Sequence, residues 1–252
     1  MSKALAIINQ KGGVGKSTTA LAIGAGLSLK GYSVLFIDLD AQGNLSYTLG
    51  ADTKGYNAMG VLERPETAKE EIQHTPQGDI IASSPKLAGA DKLLEETGKE
   101  YRLKEALDSL QGAYDYIIVD TPPALGILTI NALTACDSVI IPAQADIYSL
   151  QGVEQLAETI KPVKKYTNPA LTIEGILLTR YSSRSVLSRD IAELAEQLAA
   201  KLGTKLFKTT IREAIAVKEA QISQRSLFSY APKAKVTEDY SRFIAEIIGE
   251  ES

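Results

Sequence analysis

The chain has 252 residues, 44% of them apolar and 23% charged, with nine prolines, a composition that excludes the fibrous and disordered classes and is long enough for one large core. A net charge of −4 excludes a protein basic throughout, though not a local basic face. One cysteine, Cys136, and one histidine, His74, exclude an internal disulfide, a Cys/His zinc site and an iron–sulfur cluster within one protomer.

Continuous apolar runs of four to seven residues mark strands covered on both faces. In chain order they are Ala4 to Ile8, Ser33 to Ile37, Asp79 to Ala82, Tyr116 to Val119, Ser138 to Ile141 and Thr172 to Leu178, with Lys205 to Phe207 as a seventh candidate. Helical patterns fall at Lys16 to Lys30, Lys86 to Glu96, Lys99 to Leu110, Leu150 to Tyr166, Leu187 to Lys201, Ile211 to Gln221 and Thr237 to Ile248. This alternation predicts an α/β fold, a mostly parallel twisted sheet with helices on both faces. Tyr47 to Gln77 is polar and weakly periodic and reads as an insertion holding short helices, with His74 in a polar loop near its end. Cys136 stands among Ala132, Leu133, Ala135 and Val139 and reads as a small core residue. No linker or repeat divides the chain, so residues 1–252 read as a single domain. Met-Ser-Lys runs straight into the first strand, without the apolar run of a signal peptide, and no stretch approaches the ~18 apolar residues of a membrane span. A cytoplasmic protein is expected.

The first strand feeds Lys11-Gly12-Gly13-Val14-Gly15-Lys16-Ser17, which opens a helix. Strand, glycine-rich loop and helix in that order form a phosphate-binding loop. Glycines at 12, 13 and 15 let successive backbone N–H groups converge on an anion, and the helix N-terminus adds its dipole. Lys16 is placed for the β- and γ-phosphates of ATP, and the Ser17 hydroxyl for Mg²⁺. Asp38 and Asp40 have the period-two spacing that points both carboxylates the same way at a strand's C-terminal end. Tyr116-Ile117-Ile118-Val119-Asp120-Thr121-Pro122-Pro123 is an apolar strand ending in an acidic residue, with Asp120 placed to act on Mg²⁺ directly or through water.

The general pattern G-x-x-x-x-G-K-[ST] puts glycine at position 10, where this chain has Gln10, and Lys11 is an additional lysine. A loop so written resembles the deviant Walker A motif of the ParA/MinD group of P-loop NTPases. Asn9-Gln10-Lys11, Thr18-Thr19-Ala20 and Asp38-Leu39-Asp40-Ala41-Gln42-Gly43-Asn44 are most similar to its ParA/Soj partitioning branch, as are Pro142 to Asp146 and Ser149-Leu150-Gln151-Gly152. The resemblance covers nearly the whole chain. It implies an ATPase in which Asp40 orients or activates water, Asp38 supports the Mg²⁺ hydration shell, and Lys11 reaches the nucleotide of a second protomer in an ATP-dependent homodimer. It further implies that Val14, Thr18, Thr179, Arg180 and Arg212 contribute to nucleotide binding, with Arg180 walling the adenine pocket beside Thr179. In many relatives asparagine stands where this chain has Ala214, and a basic residue where it has Ala216.

The same resemblance implies non-specific binding of double-stranded DNA, nucleoid association and a ParB-like centromere-binding partner. Arg184 is the first DNA candidate, followed by Lys218, Lys233 and Lys235. Only eight residues precede Asn9, too few for a helix-turn-helix module, as in the small ParA/Soj type. The alternative is a MinD-like membrane-cycling ATPase, whose basic amphipathic C-terminal helix lies on anionic lipid. Here Thr237 to Ser252 carries several acidic residues against the single Arg242, and Phe243, Ile244, Ile247 and Ile248 are spaced for docking on the protein's own core. No membrane partner is expected. An iron protein of the nitrogenase type, which needs two cysteines per chain, is excluded. A carboxylate-activating enzyme of the dethiobiotin synthetase kind shares the loop.

Overall fold

Lys3–Ile7 (β1), Val34–Asp38 (β2), Ile72–Thr75 (β3), Gly78–Ile81 (β4), Tyr116–Asp120 (β5), Ser138–Gln144 (β6) and Thr172–Thr179 (β7) form one sheet in the order β3-β4-β2-β5-β1-β6-β7. The computed structural model describes residues 2–250; Met1, Glu251 and Ser252, the last two part of the acidic C-terminal stretch, lie outside the described residues. All pairings are parallel except β3 with β4. The helices are Lys16–Leu29 (α1), Asn44–Leu49 (α2), Ala58–Glu63 (α3), Ala90–Leu93 (α4), Arg102–Ser109 (α5), Ile127–Ala135 (α6), Ile147–Tyr166 (α7), Val186–Lys201 (α8), Ile215–Ile222 (α9), Leu227–Tyr230 (α10) and Lys235–Ile248 (α11).

Alternate residues of one strand serve opposite cores. Ala4, Ala6 and Ile8 join Leu35 and Ile37 in a cluster completed by α3, α5, α6, α7 and α8. Leu5 and Ile7 join Val34 and Phe36 in a second cluster with α1 and α11. Burial on both faces is why these strands are apolar without interruption. Helix α1 is pressed between β2 and α11, and small residues make room for it. A Cβ added at Gly24 would fall inside van der Waals contact with the Phe36 ring, and one at Gly26 would meet Ile244 Cδ1.

The expected α/β architecture is present, with local departures. The Lys205 to Phe207 strand is reduced to a bridge between Leu206 and Ile176. The helix expected from Ile211 begins at Ile215, because Ile211 pairs with Thr179 as the sheet's next partner. The Tyr47 to Gln77 insertion holds α3 and also β3, whose strand includes His74, so the histidine lies on a sheet edge beside Asp79 rather than in a loop. Helix α6 was not legible in the periodicity. Cys136 is buried at its end, as expected, and burial pushes its thiol up. The central strand β1 runs between β5 and β6, and the C-terminal edges of these strands converge where open α/β sheets place ligands.

Candidate nucleotide site

The loop after β1 is built to leave donors free. Gly13 and Gly15 have φ of 76° and 91°, left-handed values that glycine reaches at little cost. Gly15 is the N-cap of α1, and no side chain satisfies the first N–H groups of that helix. Those donors and the helix dipole together define an anion site. Side chains brace the loop from below. Asn9, fully buried, donates to Pro142 O at 2.7 Å and accepts from Lys11 N at 2.9 Å. Gln144, at the end of β6, donates to Gly13 O at 2.9 Å.

Lys16 is buried in the first turn of α1, its amine 3.4 Å from Lys11 O. Burial lowers its affinity for a proton, against the charges of Asp120 and Asp40. Lys11 is aimed elsewhere: its amine pairs with Asp146 Oδ2 at 2.6 Å. Asp146 is the N-cap of α7, where its Oδ1 accepts from Ser149 N at 3.0 Å. The Asp146 carboxyl is held low: burial works to raise it, but the Lys11 and Ser149 hydrogen bonds outweigh burial.

Three carboxylates stand on the strand edges. Asp38 and Asp120 are register partners on β2 and β5, both fully buried. Asp38 is well supplied with donors. Its Oδ2 accepts from Ser46 N at 2.9 Å and Ser46 Oγ at 2.7 Å, and its Oδ1 from Asp40 N at 3.1 Å. Even so, burial pushes its carboxyl up to about 6. Asp120 has neither oxygen hydrogen-bonded among the described residues. Its carboxyl is raised well above the ordinary range by burial and then by the charge of Asp38, with nearby Ser17 and Lys16 opposing. A buried, orphaned carboxylate is costly unless a cation or donor completes it, so Asp120 beside Ser17 fits a divalent ion. No three acidic, His or Cys side chains converge into a cation cage among the described residues. An ion here needs phosphate oxygens among its ligands, the manner of Mg²⁺ rather than Ca²⁺. Asp40 lines the cavity at its rim, with Oδ1 accepting from Gln42 N at 3.0 Å.

A cavity of about 560 Å³ collects Gly12, Gly13, Gly15, Lys16, Ser17, Thr18 and Asp40. A second, of about 140 Å³, continues from Gly15 and Thr18 to Val14, Thr179, Arg180, Arg212 and Tyr240. Together they have the form of a phosphate chamber and a narrower base slot. Lys218, expected on a DNA face, lines both. A third hollow, about 740 Å³, lies on the far side of Arg180 and Arg212 and holds Arg184, Lys208 and Arg242. Lys233 and Lys235 are exposed near the start of α11 and line none of the three.

Several side chains of the site carry no motif: Ser46, Asp146 as the partner of Lys11, Gln221 (Nε2 to Thr18 Oγ1, 3.1 Å), and Tyr240, whose hydroxyl meets Thr19 Oγ1 at 3.2 Å. Asp146, Gln221 and Tyr240 lie in segments whose pattern is legible in the sequence, but nothing in that pattern points to these contacts; Ser46 lies in no such segment.

This sheet, with its glycine loop between β1 and α1 and acidic edges on β2 and β5, defines a P-loop nucleotide-binding protein. Residues 2–173 match the family model described as an AAA domain. The chain is 38% identical to the sporulation initiation inhibitor protein Soj of Bacillus subtilis, over 98% of each protein. Among solved structures it is similar to apo McdA of Cyanothece, with a TM-score of 0.88 and 26% identity over 99% of this chain and all of that one. It is also similar to a cobyrinic acid a,c-diamide synthase of Mycobacterium smegmatis with bound ATP analogue and magnesium, with a TM-score of 0.82 and 35% identity over 97% and 93%. The chain belongs to the ParA/Soj family of P-loop ATPases.

Proposed function

We propose that this chain is a Mg²⁺-dependent DNA-partitioning ATPase that dimerises around ATP, binds double-stranded DNA without sequence preference, and is stimulated by a ParB-like centromere-binding partner. Residues 1–252 act as one domain, in the cytoplasm and on the nucleoid. The observation that carries the reading is Lys11. Its amine is directed to Asp146, the N-cap of α7, and not into the cradle that Lys16 already serves. A second loop lysine placed there supports contact with the phosphates of a facing protomer, in the manner of a catalytic cation supplied in trans.

Bound Mg²⁺ supplies neutralising charge to the phosphate oxygens. In the chain's own chemistry, the amides of the loop hold the phosphates, Lys16 neutralises their charge, and Ser17 and Asp120 hold the ion. Asp38 holds the Asp40 loop and the start of α2 in place, through the Asp40 amide and Ser46. Asp40 has one oxygen fixed by Gln42 N, and the other orients water. Thr179, whose hydroxyl donates to Val14 O at 2.8 Å, joins Arg180 and Arg212 around the base. Arg184 leads the DNA contacts.

The C-terminal helix supports partitioning over membrane cycling. Val236, Tyr240, Phe243 and Ile244 of α11 are buried in the core cluster that includes α1, which turns the helix's apolar face inward, and no helix among the described residues is long and apolar enough to cross a membrane. The likeness to the diamide synthase favours a second reading, in which ATP activates an organic carboxylate. Turnover measured with and without duplex DNA, in the absence of any added carboxylic acid, separates the two. Partitioning predicts DNA retention in ATP and not in ADP; equal failure in both nucleotides would overturn it.

A further inference from the structure

The nucleotide slot and the 740 Å³ cationic groove share one wall. It consists of the end of β7, Thr179 and Arg180, paired with the segment around Ile211 to Glu213. Ile211 N donates to Leu178 O at 2.9 Å and Tyr181 N to Ile211 O at 3.0 Å. Helix α11 fastens this wall from behind. Glu246 accepts from Lys208 N and Thr209 N at 2.8 and 3.0 Å. About two turns earlier on the same helix, Asp239 accepts from four donors.

Those four donors come from two arginines. Arg212 gives its backbone N–H at 3.2 Å, Nε at 2.5 Å and a terminal nitrogen at 2.8 Å; Arg242 gives a terminal nitrogen at 2.5 Å. The Asp239 side chain is 2% exposed, whereas the side chains of Arg212 and Arg242 are 41% and 55% exposed. Both guanidiniums therefore face the groove, and both are tied to a single buried negative charge. Arg180, Arg184 and Lys208 complete the cationic lining, with Glu213 as the other acid. The next residue, Tyr240, lines the nucleotide slot and reaches Thr19 on α1. Consecutive residues of one helix thus touch the groove's cations and the phosphate-loop helix.

We propose that Asp239 is a positioning residue for phosphodiester binding: it holds Arg212 and Arg242 on one carboxylate in the shared wall and keeps the groove weakly binding until the nucleotide slot is filled. The inference rests on the DNA-binding reading above and deepens it. A DNA backbone phosphate entering the groove competes with Asp239 for the same two guanidiniums. Removing the carboxylate's charge leaves them free for phosphate whatever the nucleotide.

The test is anisotropy of a fluorescein-labelled, mixed-sequence DNA duplex with no nucleotide, with Mg-ADP, and with a non-hydrolysable ATP analogue, across a salt series. Each phosphate contact adds about 0.9 to the slope of log K against log salt. D239N is therefore expected to bind without nucleotide about eightfold more tightly at 0.1 M salt, with a slope steeper by about one, and to lose its preference for the ATP state. A native slope and native nucleotide preference in D239N would overturn the inference while leaving DNA binding intact. Failure of the unaltered protein to hold duplex with the ATP analogue would overturn both. Should D239N not fold, as judged by its melting curve, R242Q decides: its ATP-state slope falls by about one if the groove receives phosphate through Arg242, and an unchanged slope refutes the arrangement.

Discussion

The buried carboxylates Asp38 and Asp120 make the ligand-free protein's stability fall as pH rises through the weakly acidic range. An acid whose pKa is raised by folding binds its proton more tightly in the folded chain, so the stabilisation is complete at low pH and is lost on the way up to the folded value. For Asp38 the window runs from 3.8 in the unfolded chain to about 6, which corresponds to about 3 kcal/mol at roughly 1.4 kcal/mol per unit. Asp120 is shifted in the same direction and adds to the loss. Asp115, Asp146 and Asp239 are shifted down, so their contributions change below pH 4, outside this window. In a domain of this size about 3 kcal/mol corresponds to a fall of roughly 6 to 12 °C in melting temperature. Calorimetry or fluorescence-monitored melting of ligand-free protein between pH 4.5 and 7.5 measures it, with Mg²⁺ and ATP analogue as the contrast, since a neutralising ion flattens the slope. D120N should also flatten it, by removing a carboxyl whose own raised pKa adds to the loss. A melting temperature that is level or rising over this interval in the ligand-free protein would refute the electrostatic assignment.

K11A should retain nucleotide binding and lose ATP-dependent dimerisation on a sizing column; its partly exposed pair with Asp146 is worth under about 1 kcal/mol, so melting barely changes, and a normal ATP dimer would refute the role in trans. D40A should turn over ATP at least about a hundredfold more slowly and persist as a dimer in ATP; near-native turnover would remove Asp40 as the carboxylate that directs water. R184A should lose retention on duplex DNA while turning over ATP in its absence, with unchanged retention at low salt as the contrary result. G24A gains helix propensity but meets Phe36, and a net loss of about 1 to 3 kcal/mol from overpacking should appear in urea denaturation.

What was legible in the sequence was what repeats at short range. The buried strands β1, β2 and β5 show as unbroken apolar runs because both faces are covered, and Lys16, Ser17, Asp38, Asp40 and Asp120 stand at fixed spacings from strand ends. Strand β3 escaped because Ile72-Gln73-His74-Thr75 is a sheet-edge segment with neither face deeply buried, so it has no alternation to read. Helix α6, Ile-Leu-Thr-Ile-Asn-Ala-Leu-Thr-Ala, is buried almost all round, and an all-round apolar helix has no stripe. The start of α9 was misread because Ile211 serves the sheet through a bridge from distant sequence. The groove was illegible for the same reason: Arg184, Lys208, Arg212 and Arg242 are scattered over some sixty positions and meet only through tertiary packing. Lys218 resembled a surface charge by type, and its place at the nucleotide cavity depends on where α9 lies.

The hydrogen bond between Thr19 and Tyr240 joins positions 221 residues apart. During synthesis the glycine loop leaves the ribosome early, yet one side of the helix it opens stays uncovered until α11 has been made. At typical elongation rates of about 5 to 20 residues per second, that delay is on the order of ten seconds or more. Through that interval α1 has no cover for Gly26 and its neighbours, so the nascent chain owns the phosphate-binding motif before it owns the pocket. The narrower slot that Tyr240 lines is therefore closed only once α11 is in place.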